Sequence, residues 1–492
     1  MNKLFSNFDK VTLVRVWSFF LLYSVFISLL IQFVVLPIML PQYHMGNGLL
    51  DGGDWTFYHS KSIELSNIIN TNGWSSWEMR PRGFGILGFI SAIYSFTGIN
   101  EPYVLIPFFS TLHAIGAISI VAIIEKLGVS RSVAIISAIP FLIFPSSLLW
   151  VTQILKDVFT INGSLLILLG LVGLVNIPRK VFSAYIIKKQ LISSIFIIFG
   201  FLIIWLVRPY YLQISLIFML LMFFVMNSFL VLKMLKRKAS GLFVLSTFLI
   251  QFMLFYAVDS FQIPAYKKTD KNSLITAIPS PTMLQASSEG RQLNNQASSE
   301  GRQLNNQASS EGRQLNNQVI LKGKAYKDWV ASPYLPTRID NEFKKLYLQR
   351  SYFYQVQSNA NSTIDYGYDL NSTEKIILYI PRAVQIAFLS PFPSSWLADH
   401  PTKLSKLTHL VTGIEMIFIY LSFIGVFISA YLWRRKIEFW MVITFSFYFA
   451  LIPTYTFPNI GALIRYRYGA IMLLAALGIS IFLYKYAKKE KD

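Results

Sequence analysis

Two aspartates stand three residues apart in Leu49-Leu50-Asp51-Gly52-Gly53-Asp54-Trp55, with a glycine pair between them. Carboxylates at that spacing can converge on one proton, one water or one cation, which suits general-base chemistry or a divalent ion. The plainer reading is that Asp54 caps the helix that follows while Gly52 and Gly53 make a turn. A second cluster runs from Phe144-Pro145 through Trp150 and Gln153 to Lys156-Asp157. Its Lys-Asp pair is either an ion pair at an interface or a carboxylate at the mouth of the same cavity as Asp51 and Asp54. A third cluster runs from Asn459 and Gly461 to Arg465-Tyr466-Arg467-Tyr468. Guanidinium forks suit phosphate oxygens, and the rings suit a sugar face or a membrane interface. Snorkelling arginines beside an aromatic belt are the alternative.

Other chemistries find no support. His59, His113 and His400 are far apart and show no metal-ligand spacing. Phosphate-binding glycine loops, dinucleotide fingerprints and nucleophile-elbow serines are absent. With no cysteine there is no disulfide framework and no thiolate metal site.

The elements that must position these clusters are membrane helices. Of 492 residues, 54% are hydrophobic and 14% charged, against about 25% charged in a soluble domain. So much apolar residue cannot all be packed into a water-soluble core, which excludes an ordinary cytosolic enzyme and a disordered chain. The net charge of +20 would suggest nucleic acid if the bases formed a patch. They lie instead in short clusters between long apolar runs, so no nucleic-acid partner is expected.

Ten stretches approach the length needed to cross a bilayer, roughly 14–40, 103–124, 132–149, 158–177, 191–207, 211–232, 241–258, 408–433, 438–456 and 468–484. The fold class expected is an all-α polytopic membrane protein of about ten spans. The first stretch is too long for a signal-peptide core and no small-residue cleavage site follows, so it reads as an anchor. The run 84–97 is too short to span, and 376–397 is broken by Pro381, Arg382, Pro391 and Pro393. Both read as juxtamembrane or re-entrant helices. The basic clusters at 3–15, 126–131, 179–189, 233–238, 434–436 and 485–491 then all fall on one side, which the positive-inside rule makes cytoplasmic together with both termini.

Three regions follow. Residues 1–258 form a transmembrane module of seven spans with a first outer loop at 41–102; residues 259–375 form an extracytoplasmic loop; residues 376–492 hold an interfacial helix and three spans. Within the long loop, 285–317 is three identical copies of QASSEGRQLNN. Each copy has one Leu, one Ala and one Gly, too little for a continuous seam, so the insert reads as a disordered tether. After it, Arg338–Gln355 carries Ile339, Phe343, Leu346, Tyr347 and Tyr354 at helical spacing, either a lid on the membrane or a helix packed on the bundle. The sequons at Asn361 and Asn371 matter only in a host that glycosylates secreted loops.

On this topology Asp51, Asp54, Asp157, Arg208, Asp259, Arg465 and Arg467 all fall at outer span ends or in outer loops. Ionisable residues there are costly, and arginines on the outer side run against the charge rule; an anionic ligand would supply the reason.

An acidic pair just after the first span, followed by a helix containing Tyr58, resembles the polytopic GT-C glycosyltransferases, the superfamily of protein mannosyltransferases and aminoarabinose transferases. The stretch Arg80-Pro81-Arg82-Gly83-Phe84 is similar to their arginine- and proline-rich interfacial segment. Pro145…Trp150…Lys156-Asp157 is similar to their second acidic motif, and Gly461…Arg465-Tyr466-Arg467 to a basic motif before a late span. The resemblance covers about the first 240 and last 90 residues. It implies inverting transfer of a sugar from a polyprenyl-phosphate carrier at the extracytoplasmic face of a bacterial inner membrane, with membrane lipids around it and a glycan, lipid or protein as acceptor. Asp51 or Asp54 would be the base and Asp157 would shape the acceptor or metal side. Tyr58, Arg80, Arg82, Lys156, Arg208, Arg465, Tyr466 and Arg467 would bind substrate, the last arginines taking the leaving phosphate. A divalent metal on Asp51, Asp54 and Asp157 is the one cofactor the carboxylates would suit. The Asp-Gly-Gly-Asp spacing is looser than the family's usual pair, which leaves open which Asp is the base.

Two other classes compete. A polysaccharide polymerase of the O-antigen type would lean on arginines of a large outer loop more than on Asp51 or Asp54. A transporter or lipid flippase would place ionisable residues near the bilayer centre; His113 lies near a span centre and Glu415 about two turns into the eighth span.

Overall fold

A computed structural model describes residues 9–175, 183–236, 238–267, 320–321, 324–325, 328–356, 362–365, 367–397 and 403–489. The tandem repeats, Asn361, His400 and the side chain of Arg82 lie outside the described residues. The chain is an all-α polytopic membrane protein. Among the described residues nine helices are long and apolar enough to cross a membrane, and a bent pair makes a tenth if counted as one span.

In chain order, α1 (Leu13–Leu30) starts at Thr12, whose hydroxyl accepts from Arg15 N, and runs on as a π-helix, Ile31–Met39, that contains Pro37. A small hairpin, β1 (His44–Gly46) and β2 (Leu49–Leu50), follows. Then come α2 (Asp54–Asn72), α3 (Gly85–Thr97), α4 (Ile106–Lys126), α5 (Arg131–Ile143), α6 (Pro145–Thr152), α7 (Asp157–Val175), α8 (Ala184–Val207), α9 (Tyr211–Leu235) and α10 (Gly241–Lys267). A second hairpin, β3 (Ile320–Leu321) with β4 (Lys324–Ala325), precedes α11 (Thr337–Val356), α12 (Thr373–Leu378), α13 (Ile380–Leu389), α14 (Pro393–Trp396), α15 (Lys403–Trp433), α16 (Ile437–Thr456) and α17 (Ile460–Lys489).

Nine spans match the apolar stretches read from the sequence, and the two doubtful runs are α3 and α13, of 13 and 10 residues. The third stretch differs: it is α5 and α6, bent by 66°. Pro145 disfavours helical backbone at Phe144, which is extended (φ −62°, ψ 136°), so the helix must break there.

The contacts divide the chain into two compact units: 1–271 with 391–449 and 468–492, and 272–390 with 450–467. In the first, α7 is buried along its whole length. Its glycines let α8 approach closely, as small residues do between membrane helices. A Cβ on Gly163 would lie 2.8 Å from Gly200 O, and one on Gly200 2.6 Å from Gly163 O. Gly425 of α15 and Gly478 of α17 cross closer still; a Cβ on Gly478 would sit 1.9 Å from Ser422 O. At the α4–α5 turn, Asp9 Oδ1 accepts from Ser132 N and Oγ, and Arg131 donates to Val11 O and Glu125. Lys436 Nζ donates to Leu127 O at the end of α4.

In the second unit, α11 forms where the spacing predicts it. Tyr347 and Tyr354 are inside with Asp340, Arg350 and Ser351, whereas Ile339 is exposed. Asp340 accepts from Trp329 Nε1, Ser332 N and Thr373 Oγ1, which locks α11 to the start of α12. Arg350 lies against the rings of Tyr354 and Tyr379 and donates to Thr454 O. These hydrogen bonds set the helix's rotation, and the apolar periodicity does not register them.

Candidate active site

The acidic loop is built from its hairpin outward. Gly52 and Gly53 have φ of +75° and +91°, the left-handed region that favours glycine, so the pair does make the turn expected of it. The N-cap of α2 is Gly53, with no side-chain cap; Asp54 is the first helical residue, where its charge suits the helix N-terminus. The Asp51 side chain is exposed and Asp54 half-buried. Trp55 Nε1 donates back to Leu50 O, and Asp51 N donates to Tyr43 O. The turn is therefore tied at both ends.

Gln153 ties this loop to the second cluster. It is fully buried at the end of α6; its Oε1 accepts from Leu50 N at 3.0 Å and its Nε2 donates to Gly48 O at 3.3 Å. Gln32, in the π-helical turn, donates to Thr152 O at 2.7 Å. The π-turn matters here: its wider winding lies at the end of α1 facing α6, and such turns mark functional places in helices. Two motifs a hundred residues apart are thus joined by neutral amides. The sequence carries both glutamines, but nothing in their spacing sets them apart from any other polar residue near a span end.

The second cluster separates its cation from its carboxylate. Asp157 Oδ1 accepts from Arg208 Nη2 at 2.9 Å, and Arg208 Nη1 donates to Thr160 Oγ1. Both partners are 1% exposed. Lys156 turns the other way, its Nζ 5.7 Å from the centre of the Tyr58 ring. Burial pushes the Tyr58 phenol above its ordinary value, against the opposing pull of Lys156. A turn of helix separates Tyr58 from Asp54, so the loop and the α6–α7 connection also meet through this pair. Arg80 stacks on the Trp205 ring at 4.3 Å and donates to Trp205 O at 2.7 Å, near the end of α8. Next to it, a Cβ on Gly85 would lie 2.3 Å from Leu206 O, so only glycine lets α3 begin there.

In the second unit, Arg467 is buried and donates to Ile386 O, Ala387 O and Ser390 O, the last carbonyls of α13 and the residue beyond. Its fork thus closes carbonyls at a helix end. Arg465 is half-exposed, and Tyr466 stacks on Phe457 with centres 4.5 Å apart. Asn459 caps α17, its Oδ1 accepting from Ala462 N. Asp259, near the end of α10, is exposed.

Among the described residues no three His, Asp or Glu side chains come together as a metal-binding group. Asp157 is taken up by Arg208, so the three carboxylates are not a preformed metal set.

No protein-family model matches the chain, and no curated protein does. Two solved structures are similar over 96% of it. One is the oligosaccharyltransferase of Archaeoglobus fulgidus in its apo form, at 12% identity and a TM-score of 0.49. The other is the archaeal oligosaccharyltransferase AglB from Archaeoglobus fulgidus in complex with an inhibitory peptide and a dolichol-phosphate, at 14% and 0.46. The chain spans about half the length of each, 52% and 51%. At such identities the likeness says nothing of individual residues or substrates.

The two residues noted for a transporter have protein partners. His113 is held by Ser24, Ser147 and Phe141 O, and Glu415 by Ser146.

Proposed function

We propose that this chain is a membrane glycosyltransferase that moves a sugar from a polyprenyl-phosphate carrier to an acceptor hydroxyl at the extracytoplasmic face. The observation that carries the reading is the Gln153 clasp, which holds an accessible acidic turn against the α6–α7 connection. A base needs to be reachable by its substrate and fixed in place. Asp51 meets both conditions: its side chain is exposed while its backbone is bound on each side.

In this reading Asp51, or Asp54 behind it, takes the acceptor's proton as the acceptor oxygen attacks the anomeric carbon. The new carbon–oxygen bond forms on the face opposite the one that breaks, so the configuration inverts. The lipid phosphate leaves with the bonding pair, and cations nearby stabilise the charge it gains. Lys156, beside Tyr58, is the cation of the first unit assigned to that charge. Asp157 and Arg208 neutralise one another, and their part is to shape the floor under the loop. The membrane is proposed to be a bacterial inner membrane with both termini cytoplasmic.

Transfer of labelled sugar from a polyprenyl-phosphate donor in membranes tests the reading. Asp51→Asn or Asp54→Asn should lower turnover by about a hundred- to ten-thousandfold with unchanged accumulation. If both variants transfer at the full rate, the base lies elsewhere. A cysteine placed at Ser240 should resist an impermeant thiol reagent and one at Gly290 should react; the reverse pattern overturns the orientation.

A further inference from the structure

Two ionisable side chains lie deep in the apolar part of the first unit and take no part in the chemistry proposed above: His113 of α4 and Glu415 of α15. Both attach to the break between α5 and α6. Glu415 Oε1 accepts from Ser146 N at 2.8 Å and its Oε2 from Ser146 Oγ at 2.6 Å. Ser147 Oγ donates to Phe141 O, and His113 Nε2 lies 2.8 Å from Ser147 Oγ and 3.2 Å from Phe141 O. With the Ser147 proton spent on Phe141, His113 Nε2 is the donor, and Nδ1 accepts from Ser24 Oγ at 2.9 Å.

We infer that Glu415 is a positioning residue for the acidic loop: it fixes one end of the half-helix α6, whose other end carries the Gln153 clasp. The inference rests on the transferase reading for its effect on turnover, and on geometry alone for its effect on the loop. Breaking a helix within hydrocarbon frees backbone N–H and C=O groups that must find partners inside the protein. At this break Glu415 takes the freed N–H of Ser146 at the start of the half-helix. At the far end Gln32 takes Thr152 O and Gln153 holds Gly48 and Leu50. The half-helix therefore acts as a strut of eight residues, about 12 Å long at 1.5 Å per residue. A tilt of about 5° at one end of such a strut moves the other by about 1 Å, and a misplacement of that size can cost up to about a hundredfold in rate.

Three variants and two probe positions, one of them a control, test this in the whole chain in membranes. Glu415→Gln keeps one acceptor for Ser146 N and places an amide Nε2 that can donate to Ser146 Oγ, whereas Glu415→Ala removes both contacts. A nitroxide on Met45→Cys, exposed in β1 of a chain without cysteines, reports the hairpin's mobility. Glu415→Ala should raise that mobility and lower kcat by about ten- to a hundredfold with little change in the donor KM, while Glu415→Gln stays within about threefold on both counts. A nitroxide on Trp74→Cys, beyond the end of α2, should not respond. If Glu415→Ala does not accumulate, Ser146→Ala removes one of the two hydrogen bonds and should shift the Met45 probe in the same direction by less. An unchanged Met45 probe overturns the inference, whatever the activity. Equal loss in Glu415→Gln and Glu415→Ala also overturns it, because charge rather than position would then matter. Should no variant or parent transfer sugar, the transferase reading falls while the Met45 probe still decides the role of Glu415.

Discussion

Asp157 and Arg208, fifty-one residues apart in the chain, form an ion pair of 2.9 Å in which both side chains are almost wholly buried. Attraction between buried charges is largely spent on their desolvation, so the pair fixes an arrangement more than it adds stability. Removing one member leaves the other uncompensated. Asp157→Ala should therefore cost about 3–5 kcal/mol and lower the unfolding temperature in detergent. Asp157→Leu combined with Arg208→Met should recover most of that loss. If the double variant is no more stable than the single one, the pair is not the source of the loss.

Gln153→Leu keeps the volume and deletes the clasp. Leu50 N and Gly48 O would lose their partners, at about 1–3 kcal/mol for each buried group left unsatisfied. The expected outcome is a loop more open to protease between residues 44 and 54 and a fall in turnover larger than the fall in stability explains. Protease resistance equal to that of the parent would show that the clasp holds nothing.

Arg467 and Arg465 should part company. Arg467 serves three backbone carbonyls with a planar fork, which an ammonium cannot match. Arg467→Lys should lower thermal stability and leave the donor KM of the surviving protein nearly unchanged. Arg465→Ala should do the opposite, raising the donor KM several-fold at parental stability. Identical profiles for the two would refute the division.

Asp365 supplies a pH dependence. Burial alone would raise its carboxyl, but hydrogen bonds from Arg382 and Tyr379 outweigh that and hold it below the ordinary Asp value. A carboxyl depressed in the folded state contributes stability that is complete above its unfolded value near 4 and is lost as pH falls through its folded value. Proteolysis of the 362–390 region should accelerate as pH falls below about 4. In Asp365→Asn the same region should be cleaved faster at neutral pH and show a flatter response to acid.

The spans were legible because hydropathy is a property of runs, and nine of ten stretches are helices of the expected length. The broken third span was also written in the sequence, as Pro140 and Pro145, yet a window of hydropathy averages over prolines. Partner choice was less accessible. Lys156-Asp157 reads as a local pair or as a carboxylate at the cavity mouth; in the structure Asp157 turns to Arg208 and Lys156 to Tyr58, because adjacent residues at a helix start point in different directions. The glycine turn of the acidic loop was foreseen, while the glutamine that anchors it is a neutral side chain with no pattern of its own. In α11 the apolar positions Tyr347 and Tyr354 are buried as their spacing suggests, while the hydrogen bonds of Asp340 and Arg350 on the same face have no counterpart in the apolar pattern.

The bonds made at the α4–α5 turn bear on any attempt to invert this protein in its membrane by editing charge. Arg131 and Lys436 count toward the positive side of the ledger, yet each also closes a backbone carbonyl or binds a neighbouring carboxylate. Neutralising them would loosen the bundle and change its orientation signal in one stroke. Lys10 and Arg15 are exposed, so moving those two charges alters insertion while sparing the joints, and a topology experiment built on them reads orientation alone.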